Sequence, residues 1–185
     1  HWDSDEGFQI QNVAGRFYGG PGQPWLEKTY NKRLFYYYLA ELVENYTKDS
    51  TRLGSWIRAE SESSNAYSVE AKLYRDFFIG RNIAALKLMG DNYKLDYKIT
   101  TNNGQPVSTE SLTIDVEGQS PYGIYSVALD GQPRAKLEWV DDVKWRLKNI
   151  GLAPGVNDLV FRGVDQWGNT KKEARLTVTR AVTAR

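Results

Sequence analysis

The side chains in this sequence that could do chemistry are mostly carboxylates and aromatic rings. Asp3, Asp5 and Glu6 set three carboxylates within four residues, which suits a hard cation such as Mg²⁺ or Ca²⁺ and equally suits an exposed acidic terminus. Asp141 with Asp142, and Asp96 with Glu110 and Asp115, are the carboxylates available for paired acid and base work on a glycosidic bond. Carboxylates at strand edges and turns ordinarily face solvent, so the enzymatic reading of those pairs is the weaker one. His1 is the sole histidine, so a Ser-His-Asp triad or a multi-histidine zinc centre would have to be built around a chain terminus. With no cysteine, disulfides, thiolate metal sites and cysteine nucleophiles are excluded together. Gly19-Gly20-Pro21-Gly22 lacks both the spacing of a phosphate-cradling loop and a following lysine.

Aromatic residues are the one unusual total: 12 Tyr, 6 Trp and 6 Phe make up 13% of the 185 residues. Tyr122, Tyr125, Trp139, Trp145 and Trp167 could offer stacking planes to a sugar, but strand alternation buries about half of such a set, and Trp145 stands where a β core is expected. Trp167, between Gln166 and Gly168 in a turn, is the residue best placed for an exposed ligand or partner contact. Net charge is only +1, from 24 basic and 23 acidic side chains, so nothing points to nucleic acid or an anionic membrane surface. No apolar run reaches the roughly 20 residues that span a bilayer. A chain that opens His1-Trp2-Asp3 without methionine reads as part of something longer.

The elements that must position these groups divide near residue 91. Residues 1–30 are rich in Gly and Pro and read as an extended connection lying against another part. Leu34, Phe35, Tyr38, Leu39, Leu42, Val43 and Tyr46 recur at helical spacing and predict an amphipathic helix with Tyr38 on its buried stripe. Tyr36 and Tyr37 then point elsewhere, one of them toward the β part or a partner. A short second helix follows Asp49-Ser50-Thr51, and a third runs from Leu73 to Leu88 and stops at Gly90.

Beyond Gly90 the period becomes two. Tyr93, Leu95, Tyr97 and Ile99 predict a first strand, Asn102-Asn103-Gly104 a turn, and residues 112–116 and 123–129 two further strands, the latter closed by an Asp130-Gly131 hairpin. Strands at 136–140, 144–147, 157–164 and 172–179 complete the pattern, with turns at Pro154-Gly155 and Trp167-Gly168-Asn169. Short strands joined by turn chemistry predict an antiparallel sandwich, so the chain reads as α+β: about three helices in residues 1–90 and a β-sandwich in residues 91–185.

Three stretches of the β half resemble bacterial immunoglobulin-like domains of secreted multidomain proteins: residues 112–118, residues 127–131, and Leu152-Ala153-Pro154-Gly155-Val156-Asn157 running on to Asp165-Gln166-Trp167-Gly168-Asn169. Trp2-Asp3-Ser4-Asp5-Glu6-Gly7-Phe8 and the helical stretch from Asn31 to Leu88 are similar to the end of a kinase-like domain of the spore-coat protein H type. That resemblance implies that Asp3 and Asp5 hold the metal bridging nucleotide phosphates. The remaining parts of a phosphoryl-transfer site would lie upstream of His1. The combined expectation is an immunoglobulin-like module of a larger protein, secreted or at the cell surface, serving adhesion, presentation or assembly. Its partners would be other domains or subunits of that protein, or copies of itself. The metal-binding end of a secreted kinase and a carbohydrate-binding module are the alternatives.

Overall fold

A computed structural model describes residues 27–47, 80, 82–132 and 134–181. Within them the chain is α+β: helix α1 (Thr29–Leu42) with a π turn at Val43–Thr47, helix α2 (residues 82–89), and eight strands in two four-stranded sheets. The strands are β1 (Lys98–Ile99), β2 (Val107–Thr109), β3 (Thr113–Gln119), β4 (Ser126–Leu129), β5 (Lys136–Trp139), β6 (Lys144–Gly151), β7 (Gly155–Val164) and β8 (Thr170–Arg180). The first sheet runs β1-β3-β6-β5 and the second β2-β8-β7-β4. No helix among the described residues is long and apolar enough to cross a membrane.

Alternation decides which side chains meet between the sheets. Val116, Trp145, Leu147 and Ile150 come from the first sheet, and Val127, Phe161, Leu176 and Val178 from the second, and they form one buried cluster. Trp145 is its largest member and is fully buried, with its ring 5.6 Å from Phe161 and stacked 6.2 Å from Tyr97. Room for that indole is made by Gly118, its register partner on β3: a Cβ at Gly118 would lie 2.1 Å from the Trp145 ring and 2.7 Å from the Lys98 carbonyl oxygen.

Polar side chains fasten the turns. Asn157 accepts from the Ala153 amide at 2.8 Å and donates to the carbonyls of Ala153, Gly155 and Val178, closing the Pro154-Gly155 turn, where Gly155 takes φ +86°. Asp165 accepts from the amides of Trp167 and Asn169 and from the Asn169 side chain. Asp141 accepts from the amides of Val143 and Lys144 in the β5–β6 hairpin. The stretches at residues 152–157 and 165–169 are therefore turn chemistry in which one side chain satisfies several backbone groups.

Four sequence expectations are corrected. The strand expected over Tyr93–Ile99 shrinks to Lys98–Ile99, because Gly90 (φ +57°) leads into a 3-10 turn, Gly90–Lys94, and Tyr93 packs against the helices. Asp130-Gly131 does form a turn, with Gly131 at φ +69°, but not a hairpin: β4 pairs with β7 and β5 with β6, so the chain there passes from one sheet to the other. Val127 must face the core from one sheet and Leu137 from the other, which a two-residue hairpin would forbid. The β part is not wholly antiparallel, since the unforeseen β2 pairs parallel with β8. The α1 stripe is rotated: Arg33, Tyr36, Tyr37 and Ala40 are buried, whereas Tyr38 and Leu42 are 48% and 47% exposed. The second expected helix and the start of the third lie outside the described residues.

Gly118→Ala is expected to lower unfolding free energy by at least about 3 kcal/mol, because neither the enclosed indole nor the neighbouring backbone can give way cheaply. Urea denaturation followed by tryptophan fluorescence measures this, and a loss below about 1 kcal/mol would mean that Trp145 has another rotamer available.

Candidate functional site

The seam between α1 and the β part is built around Arg33. The segment Ser120–Ile124 leaves the β ladder after β3; its Pro121 carbonyl accepts from the Ile124 amide at 3.3 Å and the Ser120 hydroxyl at 3.1 Å, and further donors come from outside the segment. Arg33 projects from the first turns of α1 and supplies them. Nη2 donates to the Pro121 carbonyl at 2.6 Å, to the Ile124 carbonyl and to Ser120 Oγ at 3.3 Å, and Nη1 donates to the Asp142 carbonyl at 3.0 Å. The guanidinium also lies over the Trp139 ring, 4.3 Å from its centre, and 5.6 Å from that of Tyr122. Burial pushes its pKa down to about 9, against the pull of Tyr122 and Asp142, so it stays charged at neutral pH.

The countercharge is Asp142. Its Oδ2 accepts from the Tyr122 hydroxyl at 2.6 Å and pairs with Lys32 at 3.3 Å. Burial works against its ionisation, but the Tyr122 hydrogen bond and Lys32 outweigh it and hold the carboxyl below its ordinary range. Tyr36 stacks on Tyr122 at 4.4 Å and Tyr37 meets Tyr125 edge-on at 5.1 Å, so both tyrosines, not one, pack on the β part. Tyr37 also accepts from the Gln166 amide, and Tyr38 donates to the Gln166 side chain.

Beside this seam is a cleft of about 330 Å³ lined by Tyr30 of α1, by Tyr125 and Ser126 at the start of β4, and by Leu137 and Trp139 of β5. It sits where the edge strands of the two sheets, β4 and β5, come side by side under the N-terminal turn of the helix.

The structure sorts the sequence candidates. Asp3, Asp5, Glu6 and His1 lie outside the described residues. Trp145 and Tyr122 are buried, Tyr125 and Trp139 line the cleft, and Trp167 is 69% exposed on a turn held by Asp165 and Gln166. Asp141 and Asp142 hold a hairpin and the helix seam, and Asp115 accepts from the Asn149 amide. Among the described residues no three His, Asp or Glu side chains converge as a metal site. Arg33 was missed because an arginine inside a helical pattern reads as solvent-facing, and Tyr30 because it falls in the stretch read as an extended connection. The only available signal was spacing: Tyr30, Arg33, Tyr37 and Ala40 recur at helical intervals. No protein-family model, curated protein or solved structure matches the chain.

Arg33→Met is expected to destabilise the chain by about 3 kcal/mol, since it removes the guanidinium's hydrogen bonds to the carbonyls of Pro121, Ile124 and Asp142 and leaves Asp142 without this buried countercharge. Arg33→Lys is expected to recover only part, because an ammonium cannot fork across four acceptors. Urea titration of both variants checks the order. Because the folded pKa of Asp142 lies below the ordinary 3.8, its stabilisation is fully present above that value and is lost as pH falls through the folded one. Wild-type and Asp142→Asn chains should therefore differ in urea midpoint at pH 7 and converge as pH drops below 3.8.

Proposed function

We propose that this chain is an assembly module: an immunoglobulin-like unit of a larger secreted or cell-surface protein, joined through α1 to the segment before it and engaging another domain, subunit or copy by strand addition. The immunoglobulin-like reading is supported by strand order. With β1, β3, β4, β5, β6, β7 and β8 as A, B, C, D, E, F and G, the sheets read ABED and GFC, the constant-type arrangement, with β2 as an additional strand beside G. The buried tryptophan falls on β6 rather than on the C strand, and no cysteines are present to link B with F.

One observation carries the assembly reading. β8 has 11 residues and pairs with β7 along its length, but on its other side β2 meets only Val178, Thr179 and Arg180. Residues 170–177 therefore have no strand partner on that side among the described residues. The outermost strands of both sheets, β1, β5, β2 and β4, span two to four residues each, too short to template much pairing. The open stretch of β8 carries exposed Lys171, Lys172 and Arg175 against one acid, Glu173. Such charges discourage indiscriminate pairing and favour an incoming strand rich in Asp or Glu.

In the native assembly, amides of residues 170–177 are expected to exchange about tenfold slower than in the isolated chain. Lys171→Glu combined with Arg175→Glu should dissociate that assembly while changing unfolding free energy by less than about 0.5 kcal/mol. A native protein that sediments as a monomer, or an assembly indifferent to the charge reversal, overturns the reading.

A further inference from the structure

The cleft at the β4–β5 side lies at the far edge of the second sheet from the open stretch of β8, so it stands or falls independently of the assembly reading. Its volume, about 330 Å³, is near the lower end of ligand-sized sites. Its walls combine three aromatic rings, Tyr30, Tyr125 and Trp139, with the apolar Leu137 and the hydroxyl of Ser126. Rings with hydroxyls on their rims match a ligand that has apolar C–H faces and a polar edge.

Charge narrows the class. An aromatic-lined cleft is also the usual site for a quaternary ammonium, but here Arg33 already lies over the Trp139 ring at 4.3 Å. That fixed cation already draws on the ring's π electrons and repels a second positive charge brought to the same ring. An anion gains little in exchange, because the Nη atoms of Arg33 donate to Ser120, Pro121, Ile124 and Asp142 within the seam. A neutral ligand meets neither penalty.

We infer that this cleft is a binding site for one or two rings of a neutral saccharide, with Tyr30 and Trp139 as stacking surfaces and with Ser126 and the hydrogen-bonded hydroxyl pair of Tyr30 and Tyr125 as its polar partners. Tyr30 is 56% exposed and belongs to the helix, so it closes the site from outside the β part. Of the aromatic residues singled out in the sequence, Tyr125 and Trp139 contribute, whereas the more conspicuous Trp145 fills the core.

The test uses the full chain, titrated calorimetrically with cello-, xylo-, malto- and chito-oligosaccharides and, separately, with tetramethylammonium. At least one neutral oligosaccharide should bind with Kd below about 1 mM. Tyr30→Ala should weaken that binding about tenfold, a change in line with losing one stacking ring. Ser126→Ala should weaken it less, and Val156→Ala on the exposed start of β7 should leave it unchanged. Because Tyr30 is more than half exposed, its removal should not unfold the chain, and circular dichroism of the variant verifies that. Absence of binding by all four saccharide series at about 10 mM overturns the inference. So does binding that ignores Tyr30→Ala, or tetramethylammonium binding more tightly than any saccharide.

Discussion

A guanidinium taken out of water costs several kcal/mol unless its N–H groups find acceptors and its charge finds compensation. Arg33, only 2% exposed, meets this condition through its Nη atoms, with three carbonyl oxygens, one hydroxyl and two aromatic faces, none of them on its own helix, while its Nε is buried without a hydrogen-bond partner. The dependence runs both ways. The carbonyls of Pro121 and Ile124 lie in a connection outside the ladder, and without Arg33 the Ile124 carbonyl would lose this donor while Pro121 would keep only the Ile124 amide and the Ser120 hydroxyl. These bonds tie the rotation and height of α1 to the β3–β4 connection. Tyr36 on Tyr122 and Tyr37 against Tyr125 and Gln166 follow from that rotation.

The same interaction shapes the surface. With α1 fixed by Arg33, Tyr30 is held above the place where β4 and β5 meet, and a shallow junction between two sheet edges becomes a cleft. Arg33 also settles the electrostatics of the Trp139 wall, so one residue both builds the site and restricts its ligands. Among the described residues the opposite side of the second sheet has no comparable cover: β2 is three residues long and stops after meeting the last three residues of β8. Among the described residues, then, one flank is closed by a helix and specified by a cation, and the other is open and guarded by exposed lysines.

Much of the β part was legible in the sequence because its signals are local. Alternation placed strands β3, β6, β7 and β8 to within a few residues, and Asn102-Asn103-Gly104 lies in a turn whose three residues all take positive φ. What could not be read is what depends on distant partners. Asp130-Gly131 announces a turn, but whether the next strand pairs back or crosses over is decided by which neighbour, β6 or β7, has a vacant edge. β2 is three residues with a half-buried pattern and exists because β8 extends far enough to receive it.

The rotated face of α1 is the instructive miss. A hydrophobicity pattern ranks Leu34, Leu39 and Leu42 above Arg33, and against a featureless oily surface that ranking would hold. The β part presents to α1 a surface of loop carbonyls and tyrosine faces, against which a side chain that carries donors and can stack is stabilised more than an aliphatic one. Leu42 consequently stays 47% exposed while Arg33 is enclosed. The candidate site inherits the same difficulty. Its residues come from a helix turn and two edge strands, and only the docking that Arg33 enforces makes them neighbours.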